Sequence, residues 1–347
     1  MSNYHGRLTD ALRVQHAALF DYSSGEMKAS VAERIGCPVC DATGGTVYFV
    51  KDMFRFERCR NCSMVFLNPR LNVRATYDFY NSEWTRIYNE SKFADGAVTS
   101  DSDAAINSAN IAILARAGSK VGGEKLLEIG FGAGHFLRTA SRAGYEVHGI
   151  DVDTSNYERL SREFPGKILN CDVHDANYPA GMFDVTYMRD VFEHVPNPKP
   201  LLRELNRTTR EGGLVFIEVP NIDGLIYKAV AQRHVVVFGF AHLNYWTPDT
   251  VRRVLELTGF EVVETVHESL DFSFADIAHY YLDPVFTSLE PVPASRIVLF
   301  AMKVMRRLLA ISWIGRLDRR VMPRIADALK RGSVVRVVAR KVGPVRE

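Results

Sequence analysis

The sequence predicts an α/β protein whose core is a doubly wound, mostly parallel sheet. From residue 120 onward, short apolar patterns typical of buried strands alternate with helical patterns, which is the order that builds such a sheet. A glycine-rich turn joins the first strand to its helix, two cysteine pairs precede the core, and a basic helical segment interrupts it late in the chain. We therefore expect a ribbon, a ligand-binding core and a helical insertion.

The chain divides where composition and pattern change. Its 347 residues are 47% hydrophobic with a net charge of +2, so it is long enough to bury a full core. The expected segments are an N-terminal extension (1–34), a zinc ribbon (35–70), a helical lid or linker (71–119), the core (120–269), a basic helical insertion (270–332) and a final core strand with a tail (333–347). The start of the chain lacks the pattern of a secretory signal, so we expect a cytoplasmic protein.

The segment 124–151, EKLLEIGFGAGHFLRTASRAGYEVHGID, places a strand, a turn, a helix and a second strand in immediate succession. Gly130, Gly132 and Gly134 permit a tight turn with close approach of the backbone to a ligand. Asp151 ends the second strand, where an acid accepts hydrogen bonds from ribose hydroxyls. The glycine spacing differs from the G-x-G-x-x-G of dinucleotide-binding proteins, so the pattern predicts a nucleotide half-site of another kind.

Five further strand patterns complete a Rossmann-like, seven-stranded sheet. They cover residues 167–170, 183–188, 213–219, 260–266 and 333–340, with helices expected over 198–210 and 247–258. In such a sheet, ligands bind outside the carboxyl ends of the strands, near the point where the strand order reverses. Asp172 follows the third of the seven strands and is expected at the same edge as Asp151.

Four of the five cysteines form two C-x2-C pairs, Cys37 with Cys40 and Cys59 with Cys62. The eighteen residues between the pairs fit a four-cysteine zinc site, in which two turns place four thiolates in a tetrahedron. With four protein ligands the zinc would be structural, because no position is open to substrate. Redox-active thiols and chance pairs are the alternatives, and Cys171 is expected to be a buried small residue.

The glycine turn, with Glu128 two residues before its first glycine, resembles motif I of class I S-adenosylmethionine (SAM) methyltransferases. Asp151, Asp172 and the blocks FDVTYMRDVFEHVPNP, GGLVFIEVPN, HLNYWTPDTVRRVLELTGFEVV and VVRVVARK resemble, in order, the landmarks of a family whose members often carry an N-terminal zinc ribbon. The resemblance implies the class I fold, with the last strand antiparallel between strands five and six. Many relatives act on sugars, glycans or natural-product precursors, and the pattern extends to ubiquinone-pathway O-methyltransferases.

The same resemblance implies a SAM site. In it, Glu128 and the three glycines hold the methionine moiety and the ribose, Asp151 accepts the ribose hydroxyls, and Asp172 faces the adenine amino group. Three further residues are assigned to this cofactor site, namely Phe131, Val173 and Asp190.

Methyl transfer to a hydroxyl needs an acceptor close to the methyl carbon and a base that takes the proton. His194, which follows strand four, is the first candidate, because a free imidazole titrates near neutrality. A packing or helix-capping histidine is the alternative. Asp190, Glu193 and His194 are similar to a trio associated with a divalent cation in ubiquinone-pathway relatives, so Mg²⁺ there is a second interpretation.

His242 begins the segment HLNYWTP and is the second candidate base, since this loop is expected above the carboxyl edge of the sheet. Glu218, Asn221 and Tyr245 are expected near the same edge as a polar wall for a hydroxylated acceptor. For each of these residues a structural loop contact is the alternative.

The insertion is basic and amphipathic. From Arg296 onward the sequence has fourteen Lys and Arg but three Asp and Glu. Arg296 and Lys303 share one helical face, whereas Ile297 and Val304 lie toward another. One interpretation is a peripheral membrane contact through 296–331, and the other is a helical cover or a dimer contact.

Three functional hypotheses follow. The leading one is a SAM-dependent methyltransferase that acts on a small hydroxylated molecule, with a sugar or a glycan or lipid-linked precursor as the first candidate. The second is an RNA methyltransferase that uses the zinc ribbon and the basic tail, although Asp52 and Glu57 offset the arginines of the ribbon. The third is a SAM-binding scaffold without catalysis.

Overall fold

The structure is a computed structural model that describes residues 2–93, 101–120, 123–270, 272–283, 288–289 and 292–344. The chain forms two compact units. The first, which we call the ribbon unit, comprises Met1–Ser91, Pro220–Thr247 and His267–Val335. The second, the sheet unit, comprises Lys92–Val219, Pro248–Val266 and Arg336–Glu347.

Both units are built from strands and helices. In chain order, the strands are β1 Phe20–Asp21, β2 Glu26–Met27, β3 Ala32–Glu33, β4 Gly45–Lys51, β5 Phe54–Cys59, β6 Val65–Leu67, β7 Arg70–Leu71, β8 Lys125–Ile129, β9 Glu146–Ile150, β10 Ile168–Leu169, β11 Phe183–Arg189, β12 Thr209–Pro220, β13 Asn244–Tyr245, β14 Phe260–Glu268 and β15 Val334–Lys341. The helices are α1 Ser2–Leu19, α2 Val73–Tyr80, α3 Glu83–Phe93, α4 Asp101–Arg116, α5 His135–Arg142, α6 Tyr157–Glu163, α7 Pro198–Thr208, α8 Leu225–Val230, α9 Pro248–Leu257, α10 Phe274–Leu282, α11 Arg296–Leu309 and α12 Ser312–Ala328, with a 3₁₀ turn over Ala231–Arg233.

The predicted seven-stranded sheet is confirmed, with the strand order β10-β9-β8-β11-β12-β15-β14. The pairs from β10 to β12 are parallel, so the carboxyl ends of β8, β9, β10 and β11 lie at one edge. The last strand, β15, lies between β12 and β14, the position that the class I resemblance implies. Strand β10 is shorter than predicted, because only Ile168 and Leu169 pair with β9.

The core of the sheet unit includes a stack of aromatic rings from a helix and two strands. The Phe136 ring lies 3.5 Å from that of Tyr187, which in turn lies 4.7 Å from Phe216. All three residues are buried. Apolar side chains on α5 and on strands β11 and β12 thereby hold the first helix of the half-site against the sheet.

The ribbon unit contains a four-stranded sheet of order β13-β6-β5-β4. Strands β4 and β5 form a hairpin, whose two turn residues, Asp52 and Met53, both have positive φ. Strand β13, from HLNYWTP, pairs with β6 through Tyr245 and Val65. This segment was expected to be a loop, whereas its residues Asn244 and Tyr245 form an edge strand of the ribbon sheet.

Two aromatic residues of the segment between the ribbon and the core, Phe79 and Trp84, are packing residues. Phe79 on α2 and Trp84 on α3 are both buried, with ring centroids 5.5 Å apart. Both rings pack against Phe238 in the same unit. These two side chains therefore belong to the hydrophobic core of the ribbon unit.

Candidate active site and metal centre

The glycine turn after β8 adopts a backbone that needs glycine. Gly130, Gly132 and Gly134 have φ values of 74°, 45° and 77°, a region that L-residues avoid. A Cβ on Gly130 would lie 2.4 Å from a methyl of Val191, and one on Gly134 would lie 2.5 Å from Leu160. A Cβ on Gly132 meets nothing within 4 Å. Two glycines thus serve packing, whereas the third leaves open space beside the turn.

Asp151 lies at the carboxyl end of β9, beside this open space. Its Oδ2 accepts a hydrogen bond of 2.9 Å from the backbone N–H of Gly132, and its Oδ1 accepts one from Asp153. Burial raises the pKa of this carboxyl above its usual value, although these two hydrogen bonds oppose the shift. The acid expected to meet a ribose is therefore joined directly to the turn expected to meet the rest of the ligand.

Glu128, on β8, is a buried carboxyl without a full set of partners. Its side chain is buried, and Oε2 has no hydrogen-bond partner among the described residues. Burial raises its pKa well above the usual value, and the negative charge of Asp151 adds to the shift. A buried acid of this kind is stabilised by a cationic or N–H-bearing ligand, which would lower the pKa again. The methionine moiety of SAM carries such an ammonium group.

The other predicted cofactor residues occupy two kinds of position. Asp172 is half-buried after β10, and its Oδ1 accepts a hydrogen bond of 3.0 Å from the N–H of His174. Phe131 and Val173 are almost fully buried, so their side chains pack inside the protein. The carboxylate, unlike the two apolar side chains, is partly accessible at the edge of the sheet.

Asp190, Glu193 and His194 follow β11. Asp190 has a φ of 54°, and its carboxylate lies 3.6 Å from Nε of Arg189. Glu193 is buried, which raises its pKa well above the usual value, and the charge of Asp190 adds to this. The half-buried His194 has its Nε2 3.9 Å from Oε1 of Glu193.

The structure does not support the predicted Mg²⁺ trio. Within the described chain, Asp190, Glu193 and His194 are not a set whose ligand atoms all lie within 4.8 Å of one another. Asp190 has an ion-pair partner in the neighbouring Arg189. His194 remains the candidate base of the sheet unit.

Glu218 has a structural partner set that the sequence analysis did not predict. Its carboxylate is buried and accepts hydrogen bonds from Nε of Arg189 at 3.0 Å and from Nε of Arg336 on β15. The predicted role of Glu218 in a substrate-facing wall is therefore wrong. A charged residue inside each of two apolar strands, VFIEVP and VVRVVAR, was the available signal, because a buried charge needs a partner.

Asn221 and Tyr245, in the ribbon unit, also make structural contacts. Asn221 is fully buried, with its side-chain amide donating to the carbonyl of Gly332 at 2.9 Å. The hydroxyl of Tyr245 accepts a hydrogen bond from the N–H of Phe238. His242, in the same unit, is half-buried, and its N–H donates to the carbonyl of Phe238 at 2.9 Å.

The four predicted zinc ligands converge in the ribbon unit. The Sγ atoms of Cys37, Cys40, Cys59 and Cys62 all lie within 4.8 Å of one another. Two separations are 3.4 Å, between Cys37 and Cys62, and 3.7 Å, between Cys40 and Cys59. Zinc bonded to thiolates at about 2.3 Å in a tetrahedron requires sulfur separations of about 3.8 Å. The cluster therefore fits a zinc ion with four protein ligands.

The two cysteine turns repeat the same backbone pattern. The N–H of Asp41 donates to the carbonyl of Cys37, as that of Ser63 does to Cys59. Asp41 and Ser63 have φ values of 58° and 62°, the left-handed conformation in which zinc turns often use glycine. Burial opposes ionisation of Cys40, but hydrogen bonds from the backbone of Ala42 and from neighbouring thiols outweigh it and lower the pKa to about 7. Burial raises the pKa values of Cys37 and Cys62 above the usual value of a thiol, so these two thiolates need a cation to stabilise them.

Comparison with known proteins finds a family match within part of the chain. Residues 103–265 match the family described as "Methyltransferase domain". This chain carries a methyltransferase domain. The strand order of the sheet, with β15 between β12 and β14, agrees with the class I fold of SAM-dependent methyltransferases.

Curated relatives align with part of this methyltransferase domain. The ubiquinone biosynthesis O-methyltransferases of Proteus mirabilis and Azoarcus sp. are 30% and 31% identical over 106 residues, which is 28% of this chain. The chain spans 43% and 45% of their lengths, which is less than half of each. Among solved structures, a Burkholderia thailandensis 1,6-didemethyltoxoflavin-N1-methyltransferase is 12% identical, with 86% of this chain and 99% of that chain covered, at a TM-score of 0.46.

Within the part of the chain that the structure describes, no helix is both long enough and apolar enough to cross a bilayer.

Proposed function

We propose that this protein transfers the methyl group of SAM to a hydroxyl group of a small acceptor. The observation that carries the proposal is the turn after β8, where Gly132 borders open space and is hydrogen-bonded to Asp151. If the turn served packing alone, we would expect a neighbouring side chain beside each of the three glycines, but the Cβ position of Gly132 faces open space. The methyltransferase family match and the class I strand order support SAM as the ligand of this turn.

Three acidic residues of the sheet unit are assigned to different parts of SAM. Glu128 supplies a buried carboxylate for the ammonium group of the methionine moiety. Asp151, whose second oxygen is held by Asp153, offers lone pairs to the ribose hydroxyls. Asp172 lies after the next strand and is the acceptor for the adenine amino group. These assignments follow the order of the strands along one edge of the sheet.

Catalysis then needs positioning and one proton transfer. SAM supplies an electrophilic methyl carbon and leaves as a neutral thioether. As the acceptor oxygen bonds to that carbon, His194 takes the hydroxyl proton onto a ring nitrogen and later releases it to water. His242 of the ribbon unit is the second candidate for this base. The rest of the rate enhancement comes from holding the acceptor close to the methyl carbon.

The acceptor is proposed to be small and hydroxylated. The names of the ubiquinone biosynthesis O-methyltransferases support oxygen as the accepting atom. A phenolic ring joins the sugar and glycan precursors as a candidate class on this ground. RNA is less well supported, because Arg55 on β5 of the ribbon is paired with Glu57 at 3.0 Å.

We also propose that the four cysteines bind one structural zinc ion. All four coordination positions are filled by thiolates, so the metal has no site for a substrate. Its role is to hold the two cysteine turns together, since a ribbon of this size has a small core of its own.

The decisive experiment is transfer of a labelled methyl group from SAM to separated pools of phenolic quinone precursors, nucleotide sugars, lipid-linked glycans and RNA. The proposal expects label in one of the small-molecule pools, on oxygen. Label in RNA alone would show that the acceptor is RNA and not a small molecule. SAM binding without transfer to any pool would favour the scaffold hypothesis. A variant with Asp151→Ala, which loses the ribose acceptor, is the negative control.

A further inference from the structure

Helices α11 and α12 of the ribbon unit, which we call the basic helix pair, are held in place by contacts within that unit and expose apolar side chains. Both pack against α10 in the same unit. Asp318 on α12 is buried, and its two carboxylate oxygens accept hydrogen bonds of 3.0 Å from the N–H groups of Phe274 and Ala275, at the start of α10. Ser295 caps the start of α11. The pair is therefore anchored in one orientation in its own unit.

Helix α11 buries one apolar face in part and exposes another. Val298, Met302 and Met305 are half-buried. A second stripe, spaced by three or four residues, is exposed: Ile297 at 81%, Phe300 at 69%, Val304 at 40% and Leu308 at 53%. A helix that served only as a cover would show one apolar face, because its remaining surface would be polar.

Helix α12 repeats this arrangement. Trp313, Leu317, Val321 and Ile325 recur every four residues, with exposed fractions from 38% to 63%. Three other residues of this helix, Gly315, Asp318 and Ala326, are buried. Exposed large apolar side chains are common singly, but two stripes on adjacent helices mark a site of interaction.

The positive charge of the basic helix pair favours an anionic partner. Residues 296–331 contain ten Lys and Arg and two Asp, and one of those aspartates, Asp318, is already used at the start of α10. Arg306 pairs with Asp283, and Arg331 with Asp223. Among the residues that the structure describes, no ion-pair partner is found for four arginines of α12, namely Arg316, Arg319, Arg320 and Arg324. A second copy of this chain would bring like charges together, whereas an anionic surface would neutralise them.

We infer that the basic helix pair binds the surface of a bilayer that contains anionic phospholipids. The exposed stripes enter the boundary between headgroups and acyl chains, while the adjacent guanidinium groups pair with phosphates. At 14 and 17 residues, about 21 and 26 Å at 1.5 Å per residue, both helices are shorter than the hydrocarbon core and lie along the surface. The inference does not depend on methyl transfer.

The test uses the full chain and vesicles of phosphatidylcholine alone or with about one third phosphatidylglycerol. Binding should be detected by flotation, should require the anionic lipid and should weaken with salt, because exposed charges are screened. Of the three tryptophans, Trp84 and Trp246 are buried whereas Trp313 is 63% exposed. A blue shift of tryptophan emission on binding, lost in Trp313→Tyr, would report entry of this side chain into the bilayer.

Two variants separate the contributions of charge and apolar contact. Arg319→Glu with Arg320→Glu should weaken binding to the anionic vesicles by at least about tenfold, and so should Phe300→Ser with Trp313→Ser. Arg162→Glu on α6 and Tyr22→Ser, both exposed elsewhere, are the matched controls and should bind as the parent does. All four replacements on the pair affect exposed side chains, so folding should be retained, which circular dichroism checks.

Three outcomes would overturn the inference. They are equal flotation with and without anionic lipid, unchanged binding of both double variants, and a concentration-dependent dimer in sedimentation that Trp313→Ser dissolves. Binding of single-stranded RNA without binding of vesicles would assign the basic face to nucleic acid instead. Vesicle binding is measured without SAM, so its failure is distinct from failure of the methyl-transfer proposal.

Discussion

The backbone N–H of Gly132 donates a 2.9 Å hydrogen bond to Oδ2 of Asp151, which joins the turn after β8 to the end of β9. The two residues follow different strands of the half-site and meet because β8 and β9 are parallel neighbours. A ligand that binds the turn therefore also meets the acid. This relationship makes the glycines individually testable.

Gly132→Ala should weaken SAM binding by at least about tenfold with a small loss of stability, about 1 kcal/mol for the left-handed backbone. The added Cβ enters the open space reserved for the ligand. Gly130→Ala is the contrasting variant, because its Cβ would lie 2.4 Å from Val191 and should lower the melting temperature more. Calorimetric titration and thermal unfolding measure both. Unchanged SAM affinity in Gly132→Ala would show that the turn does not contact the cofactor.

Glu128→Gln should stabilise the ligand-free protein at neutral pH by about 1 kcal/mol, because an ionised carboxylate is costly to bury. The folded-state pKa is raised, so in the parent the free energy of unfolding should fall as pH rises from the unfolded pKa toward the folded one. In the variant this slope should be smaller. Urea unfolding at several pH values measures it.

The same substitution should weaken SAM binding, since the ammonium group of the methionine moiety loses its anionic partner. Opposite signs for stability and affinity distinguish a ligand-binding carboxylate from a structural one. A variant that is both less stable and fully able to bind SAM would contradict the assignment of Glu128.

Ser63→Gly should raise the free energy of unfolding by about 0.5 kcal/mol, because glycine relieves the left-handed strain at φ 62° but loses more entropy on folding. Ser63 is exposed, so its side chain adds little packing. Ser63→Ala keeps the strain and is the control, expected to show no gain. Urea unfolding in the presence of zinc compares the two, and equal stabilities would mean that the turn is not strained.

Cys40→Ser should abolish stoichiometric zinc binding, because it removes one of the four thiolates of the cluster. The purified parent is expected to contain one zinc per chain by elemental analysis and to lose stability on treatment with a strong chelator. Cys171→Ser, outside the cluster, should keep full zinc content. Zinc loss in the Cys171 variant, or none in the Cys40 variant, would point to another ligand set.

His194→Gln should lower kcat by about 100-fold or more in the productive assay and leave the SAM dissociation constant nearly unchanged. The limb of the pH–rate profile that reports the base in the parent should be absent in the variant. His174→Gln, an exposed histidine of the same unit, is the control. His242→Gln is compared in the same way. If both candidate variants keep the full rate, neither histidine is the base.

Several features were predicted from the sequence because they depend on residues close together in the chain. The φ values at Gly130, Gly132 and Gly134 and the convergence of the two cysteine turns follow from short patterns. Strand patterns likewise predicted the seven strands of the large sheet, and boundaries differed by a few residues. Family resemblance, rather than periodicity, supplied the position of the last strand.

Other features escaped prediction because they depend on contacts between distant segments. The sequence shows that Glu218 and Arg336 lie inside apolar strands, but only the adjacency of β12 and β15 shows that they pair. The pairing of β13 with β6 likewise joins segments from separate regions of the chain. In the sequence, a polar residue near the end of a strand shows the same pattern whether its side chain contacts a substrate or a buried structural partner.

The sequence by itself determined the glycine turn with its flanking strands, the four-cysteine cluster and the amphipathic character of the basic helix pair, because local spacing sets backbone conformation and the composition of each face. The tertiary structure decided which faces are covered. It buried the expected polar wall in structural hydrogen bonds and left the apolar stripes of α11 and α12 exposed. Burial depends on which distant segments pack together, and the hydrophobic periodicity of one segment does not show which other segments pack against it.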